Sequence, residues 1–166
     1  FDSAHAGRVS AYESAMRQRG RLLREAVGDD VWLGVLESTM AERGVAIAAA
    51  RREIADRINR ASAISDGPFP QAQLIVDGTL EAWLDTLPAL DVEERMRHAL
   101  AENRREEAEN ARAPVGPHRS DLQVRHLEKN QPADRCSTGE QKALLVAIVL
   151  ADARLRAAER NVAPLL

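Results

Sequence analysis

Three observations predict a mainly helical α+β fold. Residues 4–25 and 31–61 contain no proline and repeat apolar side chains at helical spacing. Residues 73–76 and 122–127 are short, strand-like and bounded by proline or glycine. A nine-residue apolar run, Ala143 to Ala151, follows a helix-start pattern at Ser137. The architecture this predicts is an arm of two or three long helices, joined through short antiparallel strands to a closing helix.

The first helix, residues 4–25, places Val9, Tyr12, Met16, Leu23 and Val27 on one stripe with arginines outside it. Gly28-Asp29-Asp30 breaks it, and Asp29 or Asp30 is positioned to cap the next helix. That second helix, residues 31–61, carries Trp32, Leu36, Met40, Ile47, Ile54 and Ile58, and would be a rod of roughly 45 Å. Gly44 is its weak point. A short loop between the two favours an antiparallel pair. Ser65-Asp66-Gly67-Pro68-Phe69-Pro70 punctuates the chain before the strand at 73–76 and a short helix or strand at 80–86. Asp91-Val92-Glu93-Glu94 reads as a capping box opening a helix that carries Met96 and Leu100 and fades into charge toward Arg112. Ala113-Pro114-Val115-Gly116-Pro117 is a rigid turn, residues 122–127 alternate imperfectly, and Gln131-Pro132 marks a hairpin-like return to Asp134-Arg135-Cys136. The closing helix spans about 139–160.

Composition narrows the function. The 166 residues are 45% apolar with a formal charge of −3, enough for a real core and too acidic for wholesale coating of nucleic acid, although a local basic face is compatible. Only 3% are aromatic, so base-stacking platforms are not indicated. The longest apolar run is nine residues, against roughly twenty for a bilayer span, and no signal pattern opens the chain. One cysteine makes no disulfide framework, and the setting expected is the cytoplasm without membrane attachment. Cys136 reads as a small buried side chain. His118 and His126 lack a third ligand nearby, so no metal site is predicted. The chain begins Phe1-Asp2 and stops at Val162-Ala163-Pro164-Leu165-Leu166, a strand that has only just started, which predicts a piece of a longer protein.

Two readings fit the start of the closing helix. Ser137 and Glu140 form an S-x-x-E capping box, which any buried helix can use to satisfy its first N–H groups. Alternatively, free N–H groups at Thr138, Gly139 and Glu140, at the positive end of the helix dipole, face a phosphate, with Gly139 allowing close approach. No GxxxxGK[ST] loop accompanies them. Arg17, Arg19, Arg21 and Arg24 cluster on the first helix, as a solvated face or as phosphate contacts.

Ser137-Thr138-Gly139-Glu140-Gln141-Lys142-Ala143-Leu144-Leu145 resembles the signature motif of ABC-type ATPases in their SMC-like branch. The wider sequence resembles the RecF family. It does so through Tyr12-Glu13-Ser14-Ala15-Met16-Arg17-Gln18-Arg19, Met40-Ala41-Glu42-Arg43-Gly44, Gly116-Pro117-His118-Arg119-Ser120-Asp121-Leu122 and Pro164-Leu165-Leu166. Thr138 stands where the general signature has glycine. The resemblance implies a helical arm over 1–112 and part of an ABC ATPase lobe over 113–166, cut before the Walker B acids. It implies that Ser137, Thr138, Gly139, Glu140 and Gln141 touch ATP held by a partner subunit, so that ATP drives homodimerisation. It offers His118, Arg119 and Asp121 as a coupling element, and Arg17, Arg21 and Arg24 as DNA contacts.

For the intact protein the resemblance implies an ATPase using ATP and Mg²⁺ in DNA replication, DNA repair and the SOS response. Its partners would be gapped, double-stranded or junction DNA, RecR, RecO and the RecA recombinase that it helps to load. The segment alone, without phosphate loop or metal-binding acids, would neither hydrolyse ATP nor hold a cofactor, and has no catalytic residue. The rival readings are an SMC-like structural or protein-interaction module and a plain helical domain.

Overall fold

The computed structural model describes residues 4–25, 29–64 and 68–160, with side chains through 158. The predicted break at Gly28, the loop residues 65–67, Val27 and the strand expected at 164–166 lie outside the described residues. The fold is α+β and mainly helical. Its helices are α1 (His5–Glu25), α2 (Asp30–Ala63), α3 (Thr79–Leu84), α4 (Ala89–Glu102), α5 (Arg104–Asn110) and α6 (Thr138–Arg160). Strands β1 (Ala72–Asp77), β2 (Asp121–His126) and β3 (Gln131–Pro132) form one antiparallel sheet in that order, with Arg125 opposite Pro132 and His126 opposite Gln131.

The chain builds two compact units from interleaved stretches: residues 1–50 with 77–120, and 51–76 with 121–166. In the first, Tyr12 and Ala15 of α1 meet Leu36, Met40, Val45 and Ile47 of α2 and Val92, Met96 and Leu100 of α4 in one core. In the second, Ala55 and Ile58 of α2 pack with Ala72 and Leu74 of β1, Cys136, and Leu144 and Ala151 of α6. Asn59 fixes β1 there, donating to the Leu74 carbonyl at 2.9 Å and accepting from the Leu74 N–H at 2.8 Å. Cys136 is the small buried side chain that its position predicts.

Asp29 caps α2, its carboxylate accepting from the N–H groups of Val31 and Trp32. Helix α2 then runs 34 residues without a break at Gly44. The glycine serves close packing instead: a Cβ there would lie 3.2 Å from Met96 and 3.3 Å from Pro117. Trp32 and Ile54 are largely outside the core; Leu33 and Ala55, one position on, carry the buried stripe.

The capping box expected at Asp91–Glu94 does not start α4. The helix begins two residues earlier, with Pro88 in the extended conformation at the N-cap and Asp91 in the first turn, where its charge still suits the dipole. The single helix expected to fade toward Arg112 is two. Asn103, at φ −95° and ψ 8°, ends α4 and opens α5, its side-chain amide donating to the Ala99 carbonyl. Ala111 closes α5 in the left-handed region.

One arginine of the α1 cluster is not on a solvated face. Arg19 is fully buried; it donates to Glu37 of α2 at 2.9 Å, to the Leu100 carbonyl of α4 at 2.7 Å, and to Glu107 of α5. Arg104 of α5 meets both Glu37 oxygens, at 2.8 and 2.7 Å. Burial by itself would raise the Glu37 pKa, but hydrogen bonds and charge from Arg104 and Arg19 outweigh it and hold the carboxyl below its ordinary range.

Removing one partner of a buried ion pair leaves an uncompensated charge, so Arg19→Met should destabilise the protein by about 3–5 kcal/mol in urea denaturation. Because the folded-state pKa of Glu37 is depressed, its contribution is complete above the ordinary carboxylate range and is lost as pH falls through the folded value. A Glu37→Gln variant should therefore lose less stability than wild type on acidification over that window.

Candidate functional site

Helix α6 begins where its first N–H groups need acceptors from outside the helix. The Ser137 hydroxyl accepts from the Glu140 N–H at 3.4 Å, while the Glu140 carboxylate takes both the N–H and the hydroxyl proton of Ser137, each at 2.9 Å. The capping box read from the sequence is therefore formed. Lys129, in the turn between β2 and β3, pairs with the other Glu140 oxygen. Gln141 closes the entry by donating to the Cys136 carbonyl at 3.0 Å.

This cap satisfies part of the helix start. Among the described residues, the N–H groups of Thr138 and Gly139 have no protein acceptor, and both residues are exposed. A Cβ on Gly139 would meet nothing within 4 Å, so no protein neighbour requires glycine there and the approach to the two N–H groups is open. The arrangement fits an anion: two convergent amide donors at a helix N-terminus, with the Ser137 hydroxyl as a third once it turns from Glu140. Lys129 and the two Ser137 donors hold the Glu140 carboxyl down at about 2. Among the described residues, no group of three or more His, Cys, Asp or Glu could hold a metal ion.

The second predicted group sits on a 3-10 turn, Pro117–Arg119, closed by the Arg119 N–H donating to the Gly116 carbonyl at 3.0 Å. Gly116 has φ +149°, and a Cβ on it would lie 2.1 Å from the Tyr12 hydroxyl. The space a side chain would need is taken by the Tyr12 hydroxyl hydrogen-bonded to His118 Nδ1 at 2.7 Å. Burial lowers the His118 pKa; a hydrogen bond to the Ala113 backbone opposes this and the Arg119 charge adds to it. Through its bond to Tyr12, His118 ties the turn to α1. Asp121 instead begins β2, its carboxylate accepting from the Leu122 N–H at 2.8 Å.

Arg17, Arg21 and Arg24 of α1 are exposed, and with His118 and Arg119 they line one cleft of about 800 Å³ in the first unit. The structure thereby joins two groups that the sequence reading kept apart. Arg112, also lining it, was missed, since a lone arginine between two alanines carries no signal. Lys129 was missed too: a hairpin was expected with its turn at Gln131-Pro132, but the turn lies over residues 127–130 and brings Lys129 to Glu140.

The fold is shared with solved structures of the recombination mediator protein RecF in the RecFOR pathway. With the RecF-ATP structure the TM-score is 0.80 at 17% identity, covering 99% of this chain and 45% of that one. With the RecF-ATPrS structure the values are 0.79, 16%, 98% and 45%. Identity that low speaks for the fold alone. In sequence the chain is 50% identical over 171 residues to the DNA replication and repair protein RecF of Mesorhizobium japonicum, and 48% identical over 170 residues to that of Brucella abortus (strain 2308). Both alignments take in 100% of this chain and 44% of the relative, so the chain spans less than half the length of the curated relatives it matches. No family model matches it. Over the span it covers, the chain is similar to RecF proteins along its whole length. No described helix is long and apolar enough to cross a membrane.

The cap generates its own test. Glu140 should titrate at about 2 by side-chain NMR, and Lys129→Met should move it up toward the ordinary carboxylate range. Its pKa is depressed, so any stability it lends is present above that range and fades as pH approaches 2.

Proposed function

We propose that this chain is part of a RecF-type, ATP-dependent DNA-binding protein, with the start of α6 serving as a signature element. By sequence the arm would span residues 1–112 and part of an ABC-type ATPase lobe residues 113–166, a division that cuts across the two interleaved compact units; the longer protein would supply the phosphate loop and the metal-binding acids. The reading rests on one observation: a chain 50% identical to a RecF protein along its whole length has two unengaged N–H groups beside an unobstructed glycine.

In this reading Ser137, Thr138, Gly139, Glu140 and Gln141 face the terminal phosphate of ATP held by a second subunit. ATP would supply the negatively charged terminal phosphate to be recognised, and Mg²⁺ would offset part of that charge. The Thr138 and Gly139 N–H groups point at that charge with the dipole of α6 behind them. The Ser137 hydroxyl turns from Glu140 to donate to the same phosphate, and Lys129 keeps the released carboxylate paired. Gln141 holds the helix entry to the Cys136 carbonyl. Because the donors and the phosphate belong to different subunits, ATP couples to homodimerisation. His118, Arg119 and Asp121 lie at the turn between arm and lobe in sequence, where they would couple the two.

The relatives are replication and repair proteins and the solved structures belong to the RecFOR pathway; the family resemblance extends this reading to recombinational repair of gapped DNA in the cytoplasm, within the SOS response, with RecO and RecR and in loading RecA. A second reading, a protein-interaction arm, is favoured by Val31, Trp32 and Val35, which are exposed at the start of α2.

Changing Ser137 to Arg fills the approach and removes the hydroxyl. In the full-length protein this should abolish ATP-dependent dimerisation in analytical ultracentrifugation while ATP binding to the monomer persists. Dimerisation that survives the change would exclude the contact between subunits.

A further inference from the structure

We propose that the cleft lined by Arg17, Arg21, Arg24, Arg112, His118 and Arg119 is a docking site for the sugar-phosphate backbone of duplex DNA. The inference rests on the DNA-binding reading above and assigns that binding to a place.

The cleft concentrates positive charge in a chain whose Asp and Glu outnumber its Lys and Arg by 26 to 23. Among the described residues five arginines line about 800 Å³, and the one lining carboxylate, Glu107, is already committed to buried Arg19. Arg17 and Arg21 have exposed i,i+4 glutamate partners at 3.5 and 3.7 Å, weak pairs that a phosphate can replace. Among the described residues, no carboxylate lies within ion-pair distance of Arg24, Arg112 or Arg119.

The walls are fixed before any ligand arrives. Arg19 anchors α1 from beneath, and the Tyr12 to His118 bond, made possible by Gly116, sets the turn that carries Arg119. Preorganised cations lose less freedom on binding than cations on mobile loops.

Chemistry selects the ligand. Guanidinium forks match phosphate oxygens bidentately. Among the described residues no Phe, Tyr or Trp lines the cleft, so they offer none of the large stacking surfaces that single strands use. Arg17, Arg21 and Arg24 lie at i, i+4 and i+7, a rise of about 10 Å. That length covers about three base-pair steps of a duplex backbone. Contacts of this kind position DNA without reading its sequence.

The test measures binding of full-length protein, saturated with ATP, to a fluorescent 30-base-pair duplex across a salt series, by anisotropy. The cleft variant is Arg24→Glu with Arg112→Glu. The matched control is Arg97→Glu with Arg105→Glu, equal in charge and exposed on α4 and α5 of the same unit. The cleft variant should bind at least tenfold more weakly and lower the slope of log K against log salt by roughly 2, about 0.9 per lost phosphate contact. The control should keep the wild-type slope. Should either charge reversal disturb ATP-dependent dimerisation, Arg24→Gln with Arg112→Gln gives the same comparison with a milder change. Wild type that binds while the cleft variant behaves like the control overturns this site and leaves the DNA-binding reading standing. Wild type that does not bind duplex overturns both. Loss of binding to a single strand alone, with duplex binding intact, overturns the duplex assignment.

Discussion

A single buried guanidinium organises the first unit. Arg19 joins α1 to α2, α4 and α5 through Glu37, the Leu100 carbonyl and Glu107. Taking such a charge out of water costs several kcal/mol, which only a full set of well-placed partners offsets. That cost makes the contact specific: a one-residue shift of α1 would leave Arg19 without acceptors, Glu107 without its donor, and Glu37 with Arg104 alone. The same anchor sets the outer face of the helix. Arg17 and Arg21 are each two residues from Arg19, about 200° around the helix, so fixing Arg19 inward turns them outward. A structural constraint thus produces the charged surface.

The second unit solves a different problem at the start of α6. Its cap uses an internal anion, Glu140, to occupy the two donors of Ser137, and leaves the N–H groups of Thr138 and Gly139 open. In the proposed mechanism a phosphate competes with Glu140 for the hydroxyl and gains the two open donors outright. The capping box and the phosphate site, which compete as readings of the sequence, then describe one helix end with and without its ligand. Lys129 makes that exchange inexpensive by keeping Glu140 paired throughout.

Much of this was legible in the sequence because it is local. Helical spacing located α1 and α2, and the S-x-x-E pattern gave the cap of α6, whereas Gln131-Pro132, read as the turn of a hairpin returning over 134–136, is the strand β3 itself, with a 3-10 turn over Ala133–Arg135. What failed was governed by contacts distant along the chain. Gly44 reads as a weak point until Met96 and Pro117 are seen against it. Arg19 is indistinguishable by sequence from its exposed neighbours until Glu37 and Glu107, 18 and 88 residues away, are brought to it. The Asp91 box misled because Pro88, with no N–H to satisfy, starts the helix earlier without a side-chain cap. The interleaving of the two units has no local signature, and neither does the cleft that joins α1 to the His118 turn.

The central claim is that the first N–H groups of α6 receive a phosphate delivered by a second subunit. Amide hydrogen exchange at Thr138 and Gly139, followed in the full-length protein with and without ATP, reads those two groups directly. Exchange should be fast without nucleotide and markedly protected when ATP drives the dimer together. A dimer that forms with ATP while both amides continue to exchange at the free rate would contradict the claim.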